Sequence, residues 1–398
     1  MINRHMYDLG AEPSAIRELF AYGMARKAQI GDENVFDFSI GNPSVPAPGK
    51  VRETIIRLMD EDPTALHGYT PAPGDPAVRS AVADHIRRNY GIDARPEQVY
   101  LTAGAAAGLA IAIAAITVPG DQVIVPSPFF PEYRTWVEQS GCELVEVPCA
   151  QPSFQLDVDA IAAAITPSTS AVIVNSPNNP VGSVYSRENL EALAAMLREK
   201  STALGRQIYI ICDEPYRQIT YGAEVPYVPC VYPDTIVCYS YSKSLSLPGE
   251  RIGYIYVSDL MANARETSLA IAGAGRALGY ICAPVLFQRV LAECIDLPAD
   301  VEAYRTNREI LTSGLADLGY EFVPPDGAFY LWVKALEPDA KAFSERAKAH
   351  ELLLVPSDSF GVGGWVRVSY CVSRKVIEDS MPAFAALKRE YDLEGAGN

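Results

Sequence analysis

Two hydrophobic periods alternate along the middle of the chain. Short runs of β-branched and other apolar residues recur at Gln122–Val125, Ala171–Val174, Ile208–Cys212, Thr235–Tyr239 and Ile252–Val257. Their apolar character is continuous, which predicts strands buried on both faces, as in a parallel sheet. Helical patterns lie between several of them. Ser186–Lys200 places Leu190, Leu193 and Leu197 on one stripe, behind Ser186, a residue type that caps helix N-termini. Ala103–Ile116 is rich in Ala and Gly and predicts a buried helix that stops at Thr117 and Pro119. This alternation predicts a doubly wound α/β domain over residues 45–295.

From about residue 300 the pattern changes. Val301–Leu318 and Ala340–His350 read as helices, and Ala328–Val333 and Trp365–Cys371 as strands. These predict a smaller α+β domain over residues 296–398, with residues 1–44, including a helical pattern at Ser14–Ile30, packing alongside. Glu394–Asn398 reads as a frayed end.

Composition narrows the function. The 398 residues suit about two domains. With 49% hydrophobic and 21% charged residues, the chain is neither disordered nor fibrous. A formal net charge of −16 gives no basic face for phosphate backbones, which argues against nucleic-acid binding. The eight cysteines form no CxxC pair and read as small buried hydrophobes in a reducing compartment. Four histidines without ligand spacing predict no metal site. The first residues lack a signal-peptide core, and no apolar run reaches the roughly 20 residues a membrane helix needs. A cytoplasmic protein is expected.

The chemistry concentrates at strand ends. Ser240-Tyr-Ser-Lys243 follows an apolar strand, and Arg251 stands eight residues on inside Gly249-Glu-Arg-Ile-Gly253. A lone lysine there is ordinarily a solvated surface residue. Here the hydroxyls of Ser240 and Ser242 and the planar fork of Arg251 can converge on a phosphate. Tyr209–Tyr216 reads YIICDEPY, so Asp213 and Tyr216 stand where α/β proteins bind ligands. Read alone, without the lysine segment, they would rather be a helix cap beside a packed tyrosine. Thr102-Ala-Gly104-Ala-Ala-Ala-Gly108 opens the Ala-rich helix, and small residues at a helix N-terminus let backbone amides approach an anion. Asn175-Ser-Pro-Asn-Asn179-Pro-Val-Gly182, Pro126–Tyr133, His67–Arg79, Ser39–Pro43, Pro325–Tyr330 and Trp365–Ser369 complete the set of unusual segments.

In this order the segments resemble the pyridoxal-phosphate-dependent aminotransferases of class I/II, on the fold type I scaffold: a large domain with a mostly parallel sheet plus a smaller α+β domain. The likeness covers residues 36–370, nearly the whole chain. It implies pyridoxal 5'-phosphate as cofactor, with Lys243 as its covalent anchor and Asp213 at its pyridine nitrogen. Tyr216 and Asn179 would bind its phenolic oxygen, and Phe130 would stack on its ring. Its phosphate would be held by Gly104, Ala105, Ala106, Ser240, Ser242 and Arg251. Tyr69 would reach the phosphate from the neighbouring subunit of a homodimer with shared active sites. Arg367 would fork onto the substrate α-carboxylate, with Gly41 and Asn179 beside it. Two positions depart from the family's usual pattern: Val181 replaces a threonine, and the Gly104–Ala106 segment lacks a common hydroxyl. The implied reaction moves an amino group between an L-amino acid and a 2-oxo acid such as 2-oxoglutarate. A bacterial aspartate aminotransferase branch looks most similar, so aspartate is favoured. Alanine or aromatic donors, a carbon–sulfur lyase on the same scaffold and a non-catalytic regulatory module are the alternatives. No helix-turn-helix segment supports the last.

Overall fold

A computed structural model describes residues 1–11 and 14–396. A seven-stranded sheet forms the larger part of the fold. Its strands are β1 (Val99–Thr102), β2 (Gln122–Ser127), β3 (Glu143–Pro148), β4 (Thr169–Asn175), β5 (Tyr209–Asp213), β6 (Thr235–Ser240) and β7 (Gly253–Val257). They lie in the order β1-β7-β6-β5-β4-β2-β3. All run parallel except β7, which is antiparallel to both neighbours.

The sheet is covered on both sides, which explains its unbroken apolar runs. Val123, Val125, Ile173, Ile211 and Ile255 pack into one core, and Ile124, Val172, Val174, Ile210 and Val237 into the other. The predicted buried helix is Gly104–Ile116, packed on the first face; a Cβ at Gly108 would stand at ordinary contact distance from Ile255 and Cys238. On the second face, helix Arg187–Leu204 begins where the Ser186 hydroxyl accepts from the Asn189 amide and ends on left-handed Gly205. Its Leu190, Leu193 and Leu197 are buried.

Two strands escaped the hydrophobic pattern. β1 is only four residues long, and β3 alternates between buried and exposed positions because it lies at the sheet edge.

The C-terminal part holds a four-stranded antiparallel sheet of β8 (Phe322–Val323), β9 (Tyr330–Lys334), β10 (Val355–Pro356) and β11 (Trp365–Ser369), in the order β10-β11-β9-β8. Helices Glu302–Asp317, Ala340–Lys348 and Arg374–Ala396 surround it. Phe36–Asp37 pairs in parallel with Leu352–Leu353, so the segment after helix Ala15–Ile30 joins this part. The expected frayed end is instead helical through Ala396, where Arg346 donates to both carboxylate oxygens of Glu394 at 2.9 Å; residues 397 and 398 lie outside the described residues. Among the described residues, no helix is long and apolar enough to cross a membrane.

Candidate active site

Parallel strands deliver their carboxyl ends to one edge of the sheet, and that edge faces the C-terminal part. β1 leads to Gly104, β2 to Phe130, β4 to Asn179, β5 ends on Asp213, and β6 leads to Lys243. β7 runs the other way, so its start brings Arg251 to the same edge; Ser240 pairs with Gly253. Across the cleft stand Gly41, Tyr330 and Arg367. The enclosed space is about 260 Å³ and is lined by Ala105, Ala106, Phe130, Asn179, Asp213, Tyr216, Ser240, Ser242, Lys243, Arg251, Arg367 and Gly41. A larger hollow of about 350 Å³ between Arg79, Tyr100 and Ile271 contains none of these groups.

Lys243 is half-buried, its Nζ 5.4 Å from the Phe329 ring centre and donating to the Gly41 carbonyl. Desolvation above all, with Arg367 and Arg251 acting the same way and Cys371 against them, brings the amine down to about 8. Asp213 is buried. Its Oδ2 accepts from the Tyr133 hydroxyl at 2.6 Å, while Oδ1 has no partner among the described residues. Burial pushes this carboxyl up to about 7, opposed by the Tyr133 bond and aided by Glu214.

The asparagines brace the strand ends. Asn175 donates to the Asp213 carbonyl at 2.8 Å and accepts from the Asn179 amide at 2.7 Å. Asn179 Oδ1 accepts from Arg367 Nη1 at 3.0 Å. Arg367 is buried, donates through Nη2 to the Ser39 carbonyl at 2.7 Å, and lies 4.6 Å from the Tyr330 ring centre. Tyr216 and Tyr330 share a hydroxyl–hydroxyl bond of 2.8 Å.

Opposite, Ser240 and Ser242 hydroxyls meet at 2.7 Å, and Arg251 Nη1 reaches Ser242 Oγ at 3.4 Å. Gly104 has φ +79°, and a Cβ there would lie 2.7 Å from Arg251 Nη2. Gly253 admits the helix start: a Cβ would lie 2.2 Å from the Tyr239 carbonyl and 3.1 Å from Gly104 Cα.

Residues 33–383 match the sequence model of the family "Aminotransferase class I and II". The chain belongs to this family. Its members depend on pyridoxal phosphate, and this chain is a pyridoxal-phosphate-dependent aminotransferase. An aspartate/prephenate aminotransferase of Thermus thermophilus is 32% identical over 380 residues, covering 94% of this chain and 96% of that one. A crystal structure of an amino transferase from Eubacterium rectale is 51% identical, with a TM-score of 0.96 over 98% of this chain and 99% of that one. The Thermus thermophilus aspartate aminotransferase solved with maleate gives a TM-score of 0.87 at 30% identity, over 97% and 99% of the two chains. The fold is therefore the fold type I aminotransferase fold.

Every expected site residue but one lies in or beside this cleft. The exception is Tyr69, fully exposed in the single chain. Three groups of the site carried no role in the sequence. Tyr133, bonded to Asp213, and Tyr330, bonded to Tyr216, stand inside segments that the motifs already marked, and Asn175 is the first residue of the Asn-Pro turn. Ile16 and Trp136, which line the cleft, had no signal, because apolar residues on helices read as core.

Proposed function

We propose that the enzyme exchanges an amino group between an L-amino acid and a 2-oxo acid with Lys243, Asp213 and Arg367 as its three principal charged groups. The observation that carries this reading is their meeting in one cleft, with Asp213 and Arg367 buried and Lys243 half-buried. When bound, pyridoxal phosphate supplies an electrophilic carbon for the amine and an electron-withdrawing ring.

The residues fit that group part by part. Asp213 Oδ1 lacks a donor, and its raised pKa reports a carboxylate without a cation beside it; a protonated ring nitrogen provides both. Ser240, Ser242, Arg251 and the helix start at Gly104, Ala105 and Ala106 suit a phosphate. Asn179 and Tyr216 suit the phenolic oxygen, and Phe130 a ring face. Lys243 is the anchor. Its amine, depressed to about 8, is neutral in appreciable fraction near neutral pH, so Nζ can take a proton from the substrate Cα and return it. Arg367 offers a planar fork to the α-carboxylate, beside Gly41, whose hydrogen side chain leaves room against Tyr330. Tyr69 would act on the phosphate of a second copy, which makes the working unit a homodimer.

Residues 45–295 are assigned to one domain and 1–44 with 296–398 to another, supported by separate cores about the two sheets. Eight free cysteines support a cytoplasmic location.

Aspartate as donor is supported by the names of the Thermus thermophilus relatives, and 2-oxoglutarate is proposed as the acceptor. One observation favours a neutral or aromatic donor instead. Among the described residues the cleft's cations are Lys243, Arg251 and Arg367, each already assigned, and its outer wall is Ile16, Ile40, Leu109 and Trp136. A panel of aspartate, alanine, phenylalanine and tyrosine with 2-oxoglutarate, read as glutamate formed, decides. A kcat/KM highest for aspartate supports the first reading, and one highest for an uncharged donor the second. Ammonia and pyruvate from a thioether substrate, without glutamate, would make the enzyme a lyase.

A further inference from the structure

Arg367 is a buried cation that no carboxylate pairs with among the described residues. Its direction is set by two acceptors. One, Asn179 Oδ1, belongs to the turn after β4. The other is the backbone carbonyl of Ser39, which aims well only if residue 39 itself is held. Asp37 holds that residue by its amide and its side chain. Asp37 Oδ1 accepts both the Ser39 amide at 3.1 Å and the Ser39 hydroxyl at 2.5 Å, while Oδ2 accepts from Lys27 Nζ at 2.7 Å. Asp37 is itself buried.

Lys27 stands on helix Ala15–Ile30, which approaches this corner closely because residue 23 is glycine: a Cβ there would lie 3.0 Å from Asp37 Oδ2 and 2.8 Å from Leu353. Ile16 of the same helix lines the cleft. A chain of contacts therefore runs from the helix through Lys27, Asp37 and Ser39 to the guanidinium.

We propose that Asp37 is a positioning residue that aims Arg367 at the substrate α-carboxylate through the Ser39 carbonyl, with Lys27 tying that aim to helix Ala15–Ile30. This deepens the function proposed above, since it rests on Arg367 as the carboxylate fork. Asp37 acts by geometry. Only residue 39 lies between it and Arg367, and a bidentate contact loses strength steeply when its fork is turned.

The test uses the holoenzyme. Asp37→Ala is expected to raise KM for every amino donor about tenfold or more, and to weaken maleate and 3-phenylpropanoate by a similar factor in calorimetric titration, since the two probes share only a carboxylate. The turnover number should fall less than about threefold, and the bound cofactor's absorption should keep its position. Asp37→Asn, which keeps an acceptor for Ser39, should recover most of the loss. A purely structural role would lower Tm and the active fraction while leaving KM and both dissociation constants in place, and that result overturns the proposal. Ser39→Ala carries the same test should Asp37→Ala fail to fold: a KM at least about threefold higher supports the proposal, and an unaltered one overturns it. Arg367→Lys is measured alongside. If it raises KM while the Asp37 and Ser39 variants do not, the inference alone falls; if it too is silent, the assignment of Arg367 falls with it.

Discussion

Replacing Asp213 by asparagine should stabilise the cofactor-free protein at alkaline pH while crippling the enzyme. Burial raises the Asp213 carboxyl from 3.8 to about 7, and one hydrogen bond from Tyr133 does not offset it. The sign follows from the direction. A group whose folded pKa lies above its unfolded value stabilises fully below the unfolded pKa, and that contribution is lost as pH rises through the folded one. About three pKa units at about 1.4 kcal/mol each give roughly 4 kcal/mol, lost between about pH 4 and pH 8. Asparagine is isosteric, can accept from Tyr133 and does not titrate. The variant's unfolding free energy from urea titration, measured without cofactor at one fixed protein concentration, should therefore gain on the parent's by about 3 kcal/mol from about pH 5 to pH 8. Saturating pyridoxal phosphate should reverse the ranking, because the ring nitrogen gives Asp213 its missing cation and gives the substituted amide nothing comparable. Transamination should fall about a hundredfold or more. A stability difference flat across this pH range would refute the reasoning, and near-normal turnover would remove Asp213 from the site.

Three further outcomes are expected. Lys243→Ala should abolish turnover yet still bind pyridoxal phosphate without a covalent bond, and borohydride reduction of the parent followed by peptide mapping should place the label on Lys243 alone. Gly41→Ala puts a Cβ 2.1 Å from the Tyr330 hydroxyl, so kcat/KM should fall about a hundredfold, and adding Tyr330→Phe should restore part of it; strict additivity in that double-mutant cycle counts against the clash. In mixed dimers of Tyr69→Phe with Lys243→Ala subunits, the one lysine-bearing site borrows an intact Tyr69, so its cofactor affinity should match the parent's and exceed that of the Tyr69→Phe homodimer. Equal weakness in both assemblies would exclude the cross-subunit role.

What the sequence disclosed, and what it withheld, has a physical basis. β2, β4, β5, β6 and β7 are legible because a strand buried on both faces must be apolar throughout, and helix Arg187–Leu204 because its apolar stripe faces only one side. β1 and β3 are not: one is too short for a period, and the other's alternation competes with helix and turn readings. Lys243, Asp213, Asn179 and Arg251 are legible because each lies within a few residues of a strand end, so topology alone places them at one edge. Contacts between distant segments leave no such trace. The bond of Tyr133 to Asp213 spans 80 residues and that of Asn179 to Arg367 spans 188, and neither follows from a period or a spacing. The Asp37–Ser39 corner is local but silent, since an acidic residue two before a serine is ordinary until its burial is known.

The reversed strand β7 gives the enzyme two grips of very different reach. Because β6 and β7 are adjacent and antiparallel, Ser240 and Gly253 meet in register, and the short link between them carries both Lys243 and Arg251. Closing a link of that length costs little chain entropy and needs no distant partner. The grip proposed for the substrate is the opposite case, for Arg367 must find Asn179 and Ser39 across nearly the whole polypeptide. The two should therefore part company under denaturant, with carboxylate binding expected to be lost at a lower urea concentration than the cofactor's absorption. On the ribosome the order runs the same way: the proposed cofactor domain, residues 45–295, is complete in the emerging chain 72 residues before Arg367 is made.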